Sequence, residues 1–119
     1  MGFLSGILDG ISQSLRHERF EKSLEGAIGG DPIEQCEVGE SYELGCGVEK
    51  NETEAVKWYS KSAEQMNARA MYKLGCFYKD GKSVPQDYQK AYEYFHRNLG
   101  ELYENLCNKA QNMKENTFK

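Results

Sequence analysis

The sequence has no stretch near the ~20 apolar residues that a membrane span needs, and no basic residue precedes Arg16. A secretory leader opens on a basic segment, and Asp9 also interrupts the apolar start, so no leader is expected. Position 6 is Gly6 rather than the Ser or Thr of a myristoylation signal. The expected location is cytoplasmic. A basic stripe is missing as well: the net charge is −4, which argues against nucleic acid as a ligand. No nucleophile elbow, metal motif or phosphate loop is present, so the expectation is a non-enzyme with no cofactor and no metal.

The four cysteines also lack a pattern. Cys36, Cys46, Cys76 and Cys107 are separated by 10, 30 and 31 residues, and none of these spacings suits zinc. Cys36 and Cys46 fall at the two ends of one expected helix, ~15 Å apart at the rise of an α-helix. That exceeds the ~7 Å Cα limit for a disulfide. Free thiols in a reducing compartment are the better reading. Cys46, in a turn, is the candidate reactive thiol, and an ordinary exposed thiol is the plainer account of it.

What the chain does have is a repeat. Gly39, Tyr42, Gly45 and Val48 recur as Gly75, Tyr78, Gly81 and Val84, each pair 36 residues apart. The same shift carries Asn51 to Asp87, Ala55 to Ala91, Trp58 to Tyr94 and Tyr59 to Phe95. A fixed period in this range marks stacked supersecondary units. An apolar residue, Gly and Tyr at i, i+1 and i+4 share one side of a helix. A mid-helix Gly costs roughly 1 kcal/mol against Ala, so Gly39 and Gly75 imply close approach of a second helix. Gly45 and Gly81 sit where a helix ends in the left-handed region. Asn51 and Asp87 cap the next helix, and Glu54 completes a capping box with Asn51. Ala55, Trp58, Tyr59 and Ala91, Tyr94, Phe95 then supply the small and large residues of a helix–helix contact.

These residues resemble the Sel-one-like repeat, a relative of the tetratricopeptide repeat. Its pattern reads A-x-A-x-x-x-L-G-x-x-Y-x-x-G-x-G-V, then D-x-x-K-A-x-x-W-x-x-K-A-A-E-Q-G-N. Ala68, Ala70, Leu74, Gly75, Tyr78, Gly81, Val84, Asp87, Lys90 and Ala91 match in one copy. Gly39, Tyr42, Gly45, Gly47, Val48, Ala55, Trp58, Lys61, Ala63, Glu64, Gln65 and Asn67 match in the other. Val38, Ser83 and Met66 depart from it. The resemblance covers about residues 31–98 and implies an all-α fold: an α/α solenoid of two helix hairpins. It implies a scaffold for protein binding, with function grafted on it. A cysteine-rich secreted branch, for which penicillin binding and hydrolysis have been proposed, staples each hairpin with a disulfide. The missing cysteine register counts against that branch.

The expected organisation is one domain over 1–119, comprising an N-terminal cap (1–30), repeat one (31–66), repeat two (67–98) and a C-terminal capping helix (99–115). In the first part Phe3, Leu4, Ile7, Leu8, Ile11 and Leu15 form an apolar stripe at helical spacing. Gly2, Gly6 and Gly10 recur every four residues on another face. This helix therefore needs a partner surface, and the expectation is that it covers the first repeat, as solenoid ends require. The alternatives are a membrane-surface helix through residues 1–15 and pairing of two protomers. Ala27 precedes Ala63 by 36, so residues 18–28 read as the second helix of a worn preceding unit. Asp31, Pro32 and Glu34 open the next helix as N-cap, N1 and N3. Leu99, Leu102, Tyr103, Leu106, Ala110 and Met113 give the tail its helical spacing.

Residues 31–66 hold nine acids and three bases, whereas 67–100 hold three acids and six bases. This asymmetry points to another protein as partner, against the plainer reading of a solvated surface. The candidate binding residues are Glu37, Glu40 and Ser41 on the first repeat helix, and Tyr88 and Tyr92, four apart, since Tyr is favoured at interfaces. Trp58, Tyr59, Tyr94 and Phe95 read as core. A Cys76–His96 dyad is the one catalytic pairing to test. The functional expectation is a non-enzymatic interaction module, an adaptor or inhibitor, with an immunity protein against a toxin as the sharper form and a hydrolase as the poorer alternative.

Overall fold

The computed structural model describes residues 2–97, with side chains from residue 10 onward. Four helices follow in order, α1 (Gly2–Ile28), α2 (Pro32–Leu44), α3 (Glu52–Glu64) and α4 (Ala68–Asp80). A fifth helical stretch, α5, covers 88–97. No strand occurs among the described residues. Each helix packs on the next, α1 on α2, α2 on α3 and α3 on α4. The expected C-terminal capping helix (99–115) and Cys107 lie outside the described residues.

The 36-residue shift of the sequence is a shift of hydrogen bonds. Gly45 and Gly81 end α2 and α4 at φ 70° and 67°, their N–H groups donating to the carbonyls of Ser41 and Phe77. The N–H of Asn51 reaches the Tyr42 carbonyl at 2.8 Å, and that of Asp87 reaches Tyr78 at 2.9 Å. The side chains of Asn51 and Asp87 then accept from the N–H groups of Glu54 and Lys90 at 3.1 and 3.0 Å. The mid-helix glycines have the predicted cause. A Cβ on Gly39 would stand 2.7 Å from the Tyr59 ring, and one on Gly75 would stand 2.5 Å from the Phe95 ring. Tyr42 and Tyr78 therefore occupy like places at the ends of like hairpins.

The shift also runs backward. Gly30 donates to the Ala27 carbonyl and Asp31 to Gly26, as Met66 donates to Ala63 and Asn67 to Ser62. The turn after α1 thus repeats the turn after α3, with Gly30 and Met66 both at positive φ. Residues 15–28 of α1 hold the place of a second hairpin helix. At the position of the caps Asn51 and Asp87 stands Leu15, which caps nothing, so α1 runs straight on towards its N-terminus. Its 27 residues make ~40 Å of helix, against ~20 Å for each 13-residue helix that follows.

The core has two parts. Ala55, Tyr59, Ala63, Ala70, Met71, Leu74 and Phe77, with Cys36, fill the contacts of α2, α3 and α4. Phe20, Ala27 and Val38 join α1 to α2, and Tyr42 packs against both groups. Trp58 corrects the expectation of a core residue. It is half-buried against the Phe20–Val38 group, and Lys61 Nζ lies 4.4 Å from its ring centre. One residue of helix turns Trp58 by ~100° from Tyr59, so it seals the flank between units rather than their interior. Tyr94 is likewise half-buried, stacked on Tyr78 with ring centres 5.9 Å apart. Phe95 is half-buried as well. Of the apolar stripe expected to cover the first repeat, the side chains of Phe3, Leu4, Ile7 and Leu8 lie outside the described residues, and the two that are described are exposed. Ile11 and Leu15 are 53 % and 60 % exposed, and coverage of α2 by α1 begins only at Phe20.

Candidate functional site

Helix α2 is held at both ends. Asp31 caps it, accepting from the N–H of Ile33 at 2.9 Å, and Gly45 ends it. Val38 and Gly39, turned inward, fix its rotation, so Glu37, Glu40, Ser41 and Leu44 are turned toward a groove. The groove has a volume of about 390 Å³. Arg16, Arg19, Phe20 and Ser23 of α1 form its other wall, with Cys46 and Arg69 at its margins. It therefore brings together three of the residues expected from sequence, Glu37, Glu40 and Ser41.

The groove has two serines where the equivalent place one repeat on has two aromatic rings. Tyr59 and Phe77 meet between α3 and α4 with ring centres 6.0 Å apart. Thirty-six residues earlier stand Ser23 and Ser41. The Ser23 hydroxyl donates to Glu37 at 3.3 Å, and that of Ser41 donates to the Glu37 carbonyl at 3.0 Å. Two small side chains in place of two rings leave the space open.

Charge is arranged across α2 and α4. Arg69 pairs with Glu40 at 2.5 Å, and Lys73 pairs with Glu43 at 3.1 Å. The Tyr59 hydroxyl donates to the same Glu43 oxygen at 2.7 Å. Burial, and then this bond to a carboxylate, push the Tyr59 pKa above the ordinary tyrosine value. The Cys36 thiol, buried and beside the charge of Glu40, is pushed up to about 11, so it stays protonated and inert at neutral pH. Arg16 and Arg19 make no ion pair among the described residues.

The remaining expected residues lie elsewhere. Tyr88 and Tyr92 are both exposed on α5 and do not line the groove. The Tyr88 hydroxyl accepts from Gln86 Nε2 at 2.9 Å, and Tyr92 stacks on His96. No hydrogen bond joins His96 to Cys76, and His96 Nδ1 is buried without a partner, so the dyad has no geometry behind it. Cys36, Cys46 and Cys76 are free thiols, of which Cys46 is exposed. Among the described residues no group of three His, Cys, Asp or Glu is placed to hold a metal ion. No described helix is long and apolar enough to cross a membrane. Sequence reasoning missed Arg16, Arg19, Leu44 and Arg69. A signal for Arg69 existed: Glu40–Arg69 and Glu43–Lys73 are acid–base pairs separated by nearly one repeat.

Known proteins share this architecture. The Sel1 repeat pattern matches residues 35–65 and 68–97. A Sel1 repeat protein from Oxalobacter formigenes superimposes with a TM-score of 0.68 and 36% identity, covering 70% of this chain and 34% of that one. The structure of c5321, a protective antigen present in uropathogenic Escherichia coli strains displaying an SLR fold, gives 0.64 and 34%, covering 66% of this chain and 17% of that one. Among curated proteins, the ERAD-associated E3 ubiquitin-protein ligase component HRD3A of Arabidopsis thaliana is 36% identical over 62 residues, 52% of this chain. The chain spans only 9% of that relative and 10% of HRD3B from the same plant. Two matched repeats, stacked hairpins with one set of caps, and neighbours of the same design agree: the chain belongs to the Sel1 repeat family, whose fold is a protein-interaction scaffold.

Proposed function

We propose that the chain is a non-enzymatic binding module of a reducing, cytoplasmic compartment, and that it takes its protein partner in the groove on α2. One observation carries the reading: Glu37, Glu40, Ser41, Leu44 and Arg69 converge on a single open groove. Leu44 is 71 % exposed there, an apolar contact ringed by charge. Such a ring around an apolar centre is the usual anatomy of a protein contact. The Glu40–Arg69 pair presents one charge of each sign beside it. An adaptor role fits this mixed surface. An inhibitor role, as in an immunity protein, draws in addition on the net charge of −4.

The test is affinity capture from the cell that makes the protein, with the full chain and a Leu44→Asp/Arg69→Glu variant as baits. Leu44 is exposed and Arg69 sits at the surface, so the variant keeps its helix content by circular dichroism. A protein retained by the parent and lost from the variant is the expected result. Equal recovery on both baits would place binding away from the groove and end this reading.

A further inference from the structure

Two positions on α1 break the charge pattern of the repeat. Glu52, at the start of α3, is compensated within the chain. Lys50 Nζ lies 3.5 Å and Lys82 Nζ 3.7 Å from its carboxylate, and the Ser83 hydroxyl donates to it at 3.1 Å. Its counterpart one repeat earlier is Arg16, and the places of Lys50 and Lys82 are held by Ser14 and Cys46, neither of which carries a carboxylate. The sign is reversed on one side of the contact and not on the other. The second position is Arg19. Its counterparts Ala55 and Ala91 are both buried, whereas Arg19 is exposed and lines the groove.

The acids of the groove are engaged already. Helices α1 and α2 run antiparallel, which sets Ser23 level with Glu37 and Arg16 level with the turn at Gly47. Glu37 accepts from Ser23, and Glu40 is paired with Arg69. Arg16 and Arg19, three apart on one face of α1, make no ion pair among the described residues. Arg16 also borders a second hollow with Gln13, Gly45, Gly47 and Val48, none of them charged. On the opposite wall of the groove Leu44 is exposed.

We propose that the groove takes a peptide segment of the partner in which an acidic side chain stands next to an apolar one. Arg16 and Arg19 receive the carboxylate, which brings the charge that Ser14 and Cys46 do not, and the apolar neighbour lies on Leu44. Guanidinium groups suit this role because they bond a carboxylate through two parallel N–H groups. A phosphate surface, of lipid or nucleic acid, would meet Glu37 and Glu40 in the same groove and a chain of net charge −4. A short acidic segment is therefore favoured over either. This occupant rests on the partner-binding reading of the groove and adds the sign and side-chain order of what enters it.

Random peptides displayed on phage and selected on the immobilised full chain test it. The enriched peptides are expected to share an Asp or Glu beside a Leu, Ile, Val or Phe. A synthetic peptide of the enriched sequence should bind an Arg16→Ser/Arg19→Ser variant about 10- to 100-fold more weakly, the range for lost hydrogen bonds to charged groups. Raising the salt should narrow that difference. Both side chains are exposed, so the variant keeps its helix content. Charge reversal gives a readout that damage to the fold would not: Arg16→Glu/Arg19→Glu is expected to select Lys or Arg in place of the acid. Enriched peptides without an acid, no enrichment at all, or acidic peptides that bind the reversed variant equally well each overturn the proposal. So does a chain that floats with phosphatidylserine vesicles through Arg16 and Arg19 while selecting no acidic peptide. Peptides that carry no acid but are lost on Leu44→Asp/Arg69→Glu overturn the acidic occupant and leave the groove standing. Acidic peptides that need Arg16 and Arg19 but ignore Leu44→Asp/Arg69→Glu keep the carboxylate contact and overturn the groove reading.

Discussion

The α1–α2 and α3–α4 junctions share one turn and one register but are packed by opposite means. At α3–α4, Tyr59 and Phe77 fill the space and Tyr59 is anchored on Glu43. At α1–α2, Ser23 and Ser41 leave it open and Glu37 takes up their hydroxyl groups. The backbone hardly registers the exchange, because its hydrogen bonds are made in the turns and caps. The comparison separates two things a repeat must supply. Turn chemistry sets where a helix goes, and side-chain volume decides whether the junction is core or binding surface.

The largest test of that contrast removes each side chain in turn. Tyr59→Ala should cost about 3–5 kcal/mol in denaturant unfolding, as ring deletions from a core do. Ser23→Ala loses one hydrogen bond and should cost about 0.5–1.5 kcal/mol. Equal costs at the two sites would erase the distinction between a filled and an open junction.

A second comparison concerns the loops. Gly47 and Ser83 occupy equivalent positions at φ 79° and 60°. The Gly47 loop lies against α1, with its carbonyl 3.0 Å from His17 Nδ1, and a Cβ on Gly47 would strike the Arg16 carbonyl. Ser83 has room there and donates to Glu52, the counterpart of Arg16, at 3.1 Å. Gly47→Ala should therefore cost about 1–3 kcal/mol through forced backbone movement, while Ser83→Ala stays within about 0.5 kcal/mol, as surface changes do. Thermal midpoints of the two variants give the answer, and a harmless Gly47→Ala would mean that α1 is not docked on this loop.

The smallest effect is at Met66, which takes φ 63° where the preceding turn has Gly30. Its side chain is exposed, so Met66→Gly gives up little packing. It relieves a left-handed conformation costing ~1–2 kcal/mol against the ~0.5–1 kcal/mol entropy cost of glycine. A net gain of about 0.5–1 kcal/mol is expected in chemical denaturation, and a loss would show that the Met66 side chain matters to the turn.

Much of this architecture was legible in the residues. Gly45, Gly81, Asn51 and Asp87 are read directly because caps and left-handed turns act locally. Gly39 and Gly75 are read because a helix tolerates glycine only for a reason that lies outside it. Trp58 was misplaced because a repeat signature fixes which helix a residue is on but not which side of the neighbouring unit it meets. The groove was half legible. Glu37, Glu40 and Ser41 lie on one helix, so spacing places them. Arg16 and Arg19 belong to a unit too worn to align by signature, and their approach depends on α1 continuing where the other hairpins turn. That continuation follows from Leu15 standing where a cap would be, which is visible only once the shift is run backward.

The order of contacts along the chain has a kinetic consequence. Helices meet chiefly their successors, so few distant segments must find one another before native packing begins. Topologies of this kind fold in microseconds to milliseconds, and their ends open before their middle. Hydrogen exchange should accordingly be slowest around Tyr59 and Leu74, which are fully buried, and grade outward along α1 towards the exposed Leu15 and Ile11.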